Sequence, residues 1–223
     1  MYTICLVEDE ESLSNLIKMY LEKEGYEVIQ FFTGKDALSY VGNKANLWIL
    51  DIMLGDDITG YDIIKEIRAT DKSIPVIFTS ARDKDIDKII GLEMGSDDYL
   101  AKPYSTKELI LRVNKLISRI YKDKEDTNIT YYDSYAIDLN RRNVKENNVE
   151  IKLTTLEFDL LVLLINNKNK TFSRDEILKE IWGEDYFGSD RAVDDLVRRL
   201  RKKMPKLNVS TVYGYGYRLS WNL

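Results

Sequence analysis

The chain has 223 residues, 33 Lys+Arg against 38 Asp+Glu, a formal net charge of −5, one Cys and no His. This length fits one large domain or two small ones, and 44% hydrophobic with 32% charged residues marks a chain that buries a core. A lone Cys5 excludes an internal disulfide framework, and the missing His excludes triad chemistry, imidazole acid–base catalysis and most zinc sites.

Short apolar runs at Ile4–Val7, Val28–Phe31, Leu47–Leu50, Val76–Phe78 and Tyr99–Ala101 fit strands buried on both faces of a parallel sheet. Helical patterns lie between them. Leu13, Leu16, Ile17, Tyr20 and Leu21 recur at helical spacing and Gly25 stops the run; Ile63, Ile64 and Ile67 mark a second helix, and Leu109, Val113, Leu116, Ile117 and Ile120 a third. Five βα units predict a doubly wound, flavodoxin-like α/β domain over residues 1–121. Residues 122–128, KDKEDTN, are wholly polar and predict a linker. Residues 129–223 form the second expected domain. Ile129–Thr154 alternates and reads as antiparallel hairpins. Thr154–Glu157 and Ser173–Glu176 fit capping boxes that open two helices, a third helix runs from Asp190 to before Pro205, and Val209–Leu219 reads as a terminal hairpin. That order predicts an α+β winged helix-turn-helix. No apolar run approaches the roughly 18 residues of a membrane span. The start, MYTICLV, lacks a signal peptide's basic region, so a cytoplasmic protein without membrane contact is expected.

Divided at the linker, residues 1–121 carry −6 and residues 122–223 carry +1. The acidic half holds its charge at strand ends, where open α/β sheets bind ligands. Glu8 and Asp9 follow the first strand, Asp51 the third and Lys102 the fifth, with Ser80 after the fourth. Three carboxylates without His or thiolate suit a hard cation, Mg²⁺ above all. A metal-bound Asp51 can act as nucleophile toward a phosphoryl group, whose charge the cation, Lys102 and the Ser80 hydroxyl share. In the second half, Arg198 to Lys206 puts six basic groups in nine residues with no acid among them. Val193, Leu196, Val197, Leu200 and Met204 make an apolar stripe on that helix. Arg191, Asp195, Arg198 and Lys202, with Arg199 at the edge, make the opposite face, suited to the DNA major groove.

Val7-Glu-Asp-Glu10, Leu50-Asp-Ile-Met-Leu54, Ser80-Ala-Arg82, Gly95-Ser-Asp-Asp-Tyr99 and Lys102-Pro103 make the first domain resemble the receiver of bacterial two-component response regulators. Trp182-Gly183, Asp190 to Asp194, Arg199 to Lys202 and Gly214 to Arg218 make the second resemble the effector domain of the OmpR/PhoB subfamily. The resemblance covers essentially the whole chain. It implies a transcription regulator, not an enzyme, in which Asp51 takes a phosphoryl group from the phosphohistidine of a sensor histidine kinase. It implies that Mg²⁺ sits on Glu8, Asp9, Asp51 and the Met53 backbone carbonyl, and that Ser80 and Tyr99 form a switch pair. It implies phosphorylation-driven homodimers through Lys88, Glu93, Asp97, Asp98, Glu108 and Arg112, with Lys88–Glu108 and Asp98–Arg112 paired across a two-fold axis. Promoter DNA would be met by Arg191, Asp195, Arg198, Arg199, Arg201, Lys202, Thr211, Tyr213 and Tyr215. RNA polymerase would be met by the loop of Trp182, Glu184, Asp185, Tyr186 and Phe187.

The chain departs from the pattern in places. Gly55 stands where the family has Pro, Gly60 lies nine residues after Asp51 instead of eight, and Ser80 replaces the commoner Thr. Tyr213 replaces a wing Arg, and Leu196 and Ala192 replace a His and a Thr. Two rivals stay open. A haloacid-dehalogenase-type phosphatase needs an Asp two residues after its nucleophile, where Met53 stands. A regulator of the same fold that works unphosphorylated draws on the altered loop after Asp51.

Overall fold

The computed structural model describes residues 1–55, 57–81, 91, 94–121, 129–183 and 190–220. The chain divides into two compact units, Met1–Lys122 and Asp123–Leu223. Lys88, Glu93, residues 122–128 and residues 184–187 lie outside the described residues.

In the first unit, β1 (Thr3–Val7), β2 (Glu27–Phe31), β3 (Leu47–Asp51), β4 (Val76–Ser80) and β5 (Asp98–Ala101) form a parallel sheet in the order β2-β1-β3-β4-β5. Side-chain alternation gives each face its own core. Ile4, Leu6, Ile49 and Ile77 pack against Ile17 and Leu21 of α1 (Glu11–Lys23) and Leu109, Val113, Leu116 and Ile117 of α4 (Thr106–Tyr121). Cys5, Val7, Trp48, Leu50 and Phe78 pack against Ala37 of α2 (Gly34–Tyr40) and Ile63, Ile64 and Ile67 of α3 (Gly60–Thr70). The buried stripe of α1 is narrower than its apolar spacing predicts. Leu16 and Tyr20 are exposed, and the buried positions are Ser14, Ile17 and Leu21, with the Ser14 hydroxyl accepting from Gln30 Nε2 at 3.0 Å. The helix lies against β1, the edge strand β2 and α4. Asp51 and Ser80 are the last residues of their strands, not the first beyond them.

In the second unit, β6 (Ile129–Tyr132), β7 (Tyr135–Asp138), β8 (Asn143–Glu146) and β9 (Val149–Ile151) form an antiparallel sheet in sequence order. Asn147 and Asn148 both take positive φ, 49° and 67°, which a two-residue hairpin turn with the strands' own twist requires. α5 (Thr155–Asn166) and α6 (Arg174–Trp182) open with the expected capping boxes, Thr154 with Glu157 and Ser173 with Glu176. α7 (Asp190–Lys203) follows. β10 (Thr171–Ser173), β11 (Val209–Val212) and β12 (Gly216–Leu219) close a three-stranded sheet in the order β10-β12-β11. A Cβ on Gly216 would stand 2.0 Å from the Phe172 carbonyl oxygen, so only glycine lets β12 approach β10 so closely. Among the described residues, no helix is long and apolar enough to cross a membrane.

Candidate functional site

β1 and β3 are parallel neighbours with Val7 opposite Leu50, so Glu8 and Asp51 emerge side by side, both on the face of Leu6 and Ile49. Glu8 and Asp51 are buried and Asp9 is exposed; one carboxylate oxygen from each lies within 4.8 Å of the others. Lys102 reaches in from the end of β5. Its Nζ donates to Asp51 Oδ2 at 2.5 Å and to Glu8 Oε1 and Oε2 at 2.9 and 2.8 Å. The Met53 backbone N–H donates to Asp51 Oδ1 at 2.9 Å. Burial pushes the Glu8 carboxyl up to about 7; Asp51 and Asp9 add to that rise and the Lys102 hydrogen bond opposes it. Burial pulls the Lys102 ammonium down, but hydrogen bonds and charge from Asp51 and Glu8 outweigh that and hold it above its ordinary value. With all three carboxylates ionised, as metal ligation requires, the all-oxygen donor set carries two negative charges in excess of the one ammonium. The residues therefore fit a divalent hard cation.

Ser80 is fully buried at the end of β4, one residue past the Thr79 that pairs with Asp51. The Tyr99 ring is turned inward, into the core that holds Phe78. Sequence reasoning passed over Tyr104, two residues after Lys102. Its hydroxyl is buried, and burial first, then the charge of Glu8, pushes it up to about 12.

The altered loop after Asp51 keeps the glycine's role. A Cβ on Gly60 would stand 2.4 Å from the Asp51 carbonyl oxygen. Gly60 N–H donates to the Ile52 carbonyl at 3.1 Å, and Thr59 N–H donates to Asp62 Oδ2 at 3.1 Å, which opens α3. Ile58 of this loop lies against Gly34, where a Cβ would come within 2.6 Å of Ile58 Cγ2. Gly55 sits beside the carboxylates, and a Cβ there would be 3.2 Å from Asp9 Oδ2.

Several expected surface residues are corrected. The Asp97 side chain is fully buried: it pairs with Arg68 at 3.2 Å and accepts the Val76 N–H at 2.8 Å, tying the turn before β5 to the start of β4. It is not an interface group. Arg112 forks both Asp98 oxygens at 2.9 Å and reaches Glu108 at 2.7 Å within one chain. Trp182, the last residue of α6, is buried and so is not an exposed contact residue.

The basic helix α7 is likewise divided. Val193, Leu196, Val197, Leu200 and Met204 are buried as expected, and so is Ala192; the Leu196 and Ala192 departures are therefore packing changes. Arg199 turns toward the buried Glu157 at 3.9 Å, and Lys203 is ion-paired to the same carboxylate. Arg201 donates to the Val209 carbonyl at 3.0 and 2.6 Å and to Thr211 Oγ1 at 3.0 Å, and lies over the Tyr217 ring. Arg199, Arg201 and Thr211 thus hold the domain together and are removed from the expected DNA face. Glu157 was legible only as a cap, although α5 is apolar nearly all round and a charge on it needs partners. Arg191, Arg198 and Lys202 stay exposed, with Asp195 partly so. On the hairpin beyond, Tyr213 is 94% exposed and Tyr215 half-exposed. The Tyr217 hydroxyl and Arg174 Nε both donate to Asp194 Oδ1 at 2.7 Å, which ties β12, α6 and α7 together.

Comparison with known proteins agrees with this two-part architecture. The response regulator receiver domain family matches residues 4–114, and the family of transcriptional regulatory protein C-terminal domains matches residues 148–219. The transcriptional regulatory protein CssR of Bacillus subtilis is 52% identical over 98% of both chains. The sensory transduction protein RegX3 of Mycolicibacterium smegmatis is 37% identical over 98% of this chain and 99% of its own. The crystal structure of DrrB, an OmpR/PhoB homologue from Thermotoga maritima, superposes with a TM-score of 0.53 at 29% identity over 99% of each chain. A carboxylate-rich five-stranded domain, a winged helix after it, and these full-length relatives together place the chain in the OmpR/PhoB type of two-component response regulator, in which a receiver domain is joined to a DNA-binding domain.

Proposed function

We propose that this response regulator is controlled by phosphorylation at Asp51. The clustering of Glu8, Asp9 and Asp51, the first and last of them held by the Lys102 ammonium, supports this reading most strongly. An Asp51 oxygen attacks the phosphorus of a phosphohistidine on a sensor histidine kinase, the phosphorus–nitrogen bond breaks, and the imidazole nitrogen leaves with the electron pair. Glu8, Asp9, Asp51 and the Met53 carbonyl would hold Mg²⁺, which when bound neutralises charge on the phosphoryl oxygens. Lys102 exchanges part of its contact with Asp51 for the transferred group. Ser80 presents its hydroxyl to that group, and Tyr99 fills the space beside it.

Phosphorylation then favours a homodimer through the receiver, with Asp98, Glu108 and Arg112 at its face and Lys88 and Glu93 expected there from the sequence alone. Two winged helices joined in this way gain affinity for repeated promoter sites by effective concentration, without new contacts per site. Arg191, Asp195, Arg198 and Lys202 face the duplex, Tyr213 and Tyr215 lie along its backbone, and residues 184–187 meet RNA polymerase. The setting is the cytoplasm. Because Gly60 still meets the Asp51 backbone, the altered loop gives no ground for preferring a regulator that works unphosphorylated.

Incubation with a radiolabelled small-molecule phosphodonor and Mg²⁺ tests the acceptor. Wild type should take up label that is lost in alkali, as an acyl phosphate is, and Asp51→Asn should take up none. Equal labelling of the variant would end the proposal.

A further inference from the structure

On α7, Arg191, Asp195, Arg198 and Lys202 follow one another at spacings of four, three and four, which sets them on one side of the helix. They are not equivalent. Arg191 and Lys202 make no ion pair among the described residues. Arg198, whose side chain is 65% exposed, is held: its Nε and Nη2 both donate to Asp195 Oδ1, at 3.2 and 3.1 Å. A guanidinium has five N–H donors in a planar fork. Asp195 occupies two of them along one side. The three left are on Nη1 and the outer side of Nη2, the end-on edge whose spacing matches O6 and N7 of guanine. Asp195, whose side chain is 22% exposed, leaves Oδ2 without a partner among the described residues.

We infer that Asp195 and Arg198 form one base-reading unit, in which Arg198 reads a guanine end-on and Asp195 is the positioning residue that fixes its fork. The free Asp195 oxygen accepts from the N4 amino group of a neighbouring cytosine. The inference rests on the DNA-binding reading above and states what sequence that surface takes: a site with a G·C step at the centre of each helix contact.

Two observations favour reading over backbone grip. The other arginines near the centre of α7, Arg199 and Arg201, are spent inside the domain, so among the described residues the central fork open to solvent is that of Arg198. A carboxylate in the middle of a helix face directed at phosphates is also unfavourable for sequence-independent binding. It opposes every duplex except one that offers it a donor. Asp195 therefore lowers affinity for wrong sequences while it sharpens affinity for the right one.

The experiment is selection of bound duplexes from a random pool at fixed salt, with the full chain and with Arg198→Lys, Asp195→Asn and wild type side by side. Wild type should return a motif with an invariant guanine beside a cytosine. Arg198→Lys keeps the charge but loses the fork; it should lose about tenfold on the selected site and return no fixed guanine, while its binding to scrambled DNA holds. Asp195→Asn should bind scrambled DNA more tightly and narrow the gap to the selected site. If Arg198→Lys returns the wild-type motif, or Asp195→Asn weakens all DNA alike, the reading unit is wrong while DNA binding stands. If wild type retains no duplex at all, the DNA-binding reading falls and the inference with it.

Discussion

The Lys102 ammonium lies 2.5 Å from Asp51 Oδ2 while it also holds both oxygens of Glu8, so one cation from the end of β5 neutralises parts of two buried acids from β1 and β3. Breaking a buried pair leaves an uncompensated charge, and Lys102→Met should lower stability without metal by about 3 kcal/mol. A divalent cation replaces the missing charge, so saturating Mg²⁺ should return much of that loss and bind the variant more tightly than wild type. Urea unfolding with and without Mg²⁺ reads both. A loss that Mg²⁺ leaves untouched would mean that Lys102 acts only as packing.

The Glu8 carboxyl, pushed up to about 7, gives the site a pH dependence. The unfolded reference is 4.5, so between about 4.5 and 7 the folded chain binds more protons than the unfolded one. The Glu8 contribution to metal-free stability therefore falls as pH rises through that window. Metal binding has the opposite sign, because a ligating carboxylate must be ionised. Mg²⁺ affinity measured by calorimetry should rise from pH 6 to pH 8, with proton release at the lower pH. Affinity independent of pH would place Glu8 outside the ligand set.

Gly60 and Gly55 separate fold from site. Gly60→Ala forces a methyl to 2.4 Å from the Asp51 carbonyl, against backbone, and should destabilise by about 1–3 kcal/mol. Among the described residues, Gly55→Ala meets only the Asp9 Oδ2 side-chain atom, at 3.2 Å, so its effect should appear in Mg²⁺ affinity with stability nearly unchanged. Denaturant midpoints for the two variants check the contrast.

Glu157 carries the second unit. It is 1% exposed, caps α5 and faces Arg199 and Lys203 of α7. Glu157→Gln keeps the size but removes the charge both cations face, and should cost about 3 kcal/mol in thermal or denaturant unfolding. A change under about 0.5 kcal/mol would show that the helices are joined by apolar packing alone.

What could be read in advance follows from how local each signal is. Glu8, Asp51 and Lys102 lie far apart in sequence, yet strand ends in a parallel sheet bring them together, so naming the strands named the site. The capping boxes at Thr154 and Ser173 are four-residue signals and appear as expected. The basic run from Arg198 to Lys206 was misleading because its partners are distant: Glu157 for Arg199 and Lys203, Val209 for Arg201, and Glu146 for Lys206 at 2.8 Å. Asp97 and Arg68 are separated by the whole of β4, and no local pattern announces a buried ion pair. The role of Gly60 was legible as a residue type, but the contact of Ile58 with Gly34 joins a loop to the start of α2, which only the fold brings together.

The account turns on whether phosphate at Asp51 controls DNA affinity. The direct measurement is retardation of a duplex with two copies of the selected site, with the full chain, Mg²⁺ and a phosphodonor, for wild type and Asp51→Asn. Wild type should bind about 10- to 100-fold more tightly with the donor than without it, as effective concentration predicts for a linked pair, and Asp51→Asn should not respond. Equal binding by the two proteins, or a wild-type affinity indifferent to the donor, would contradict it.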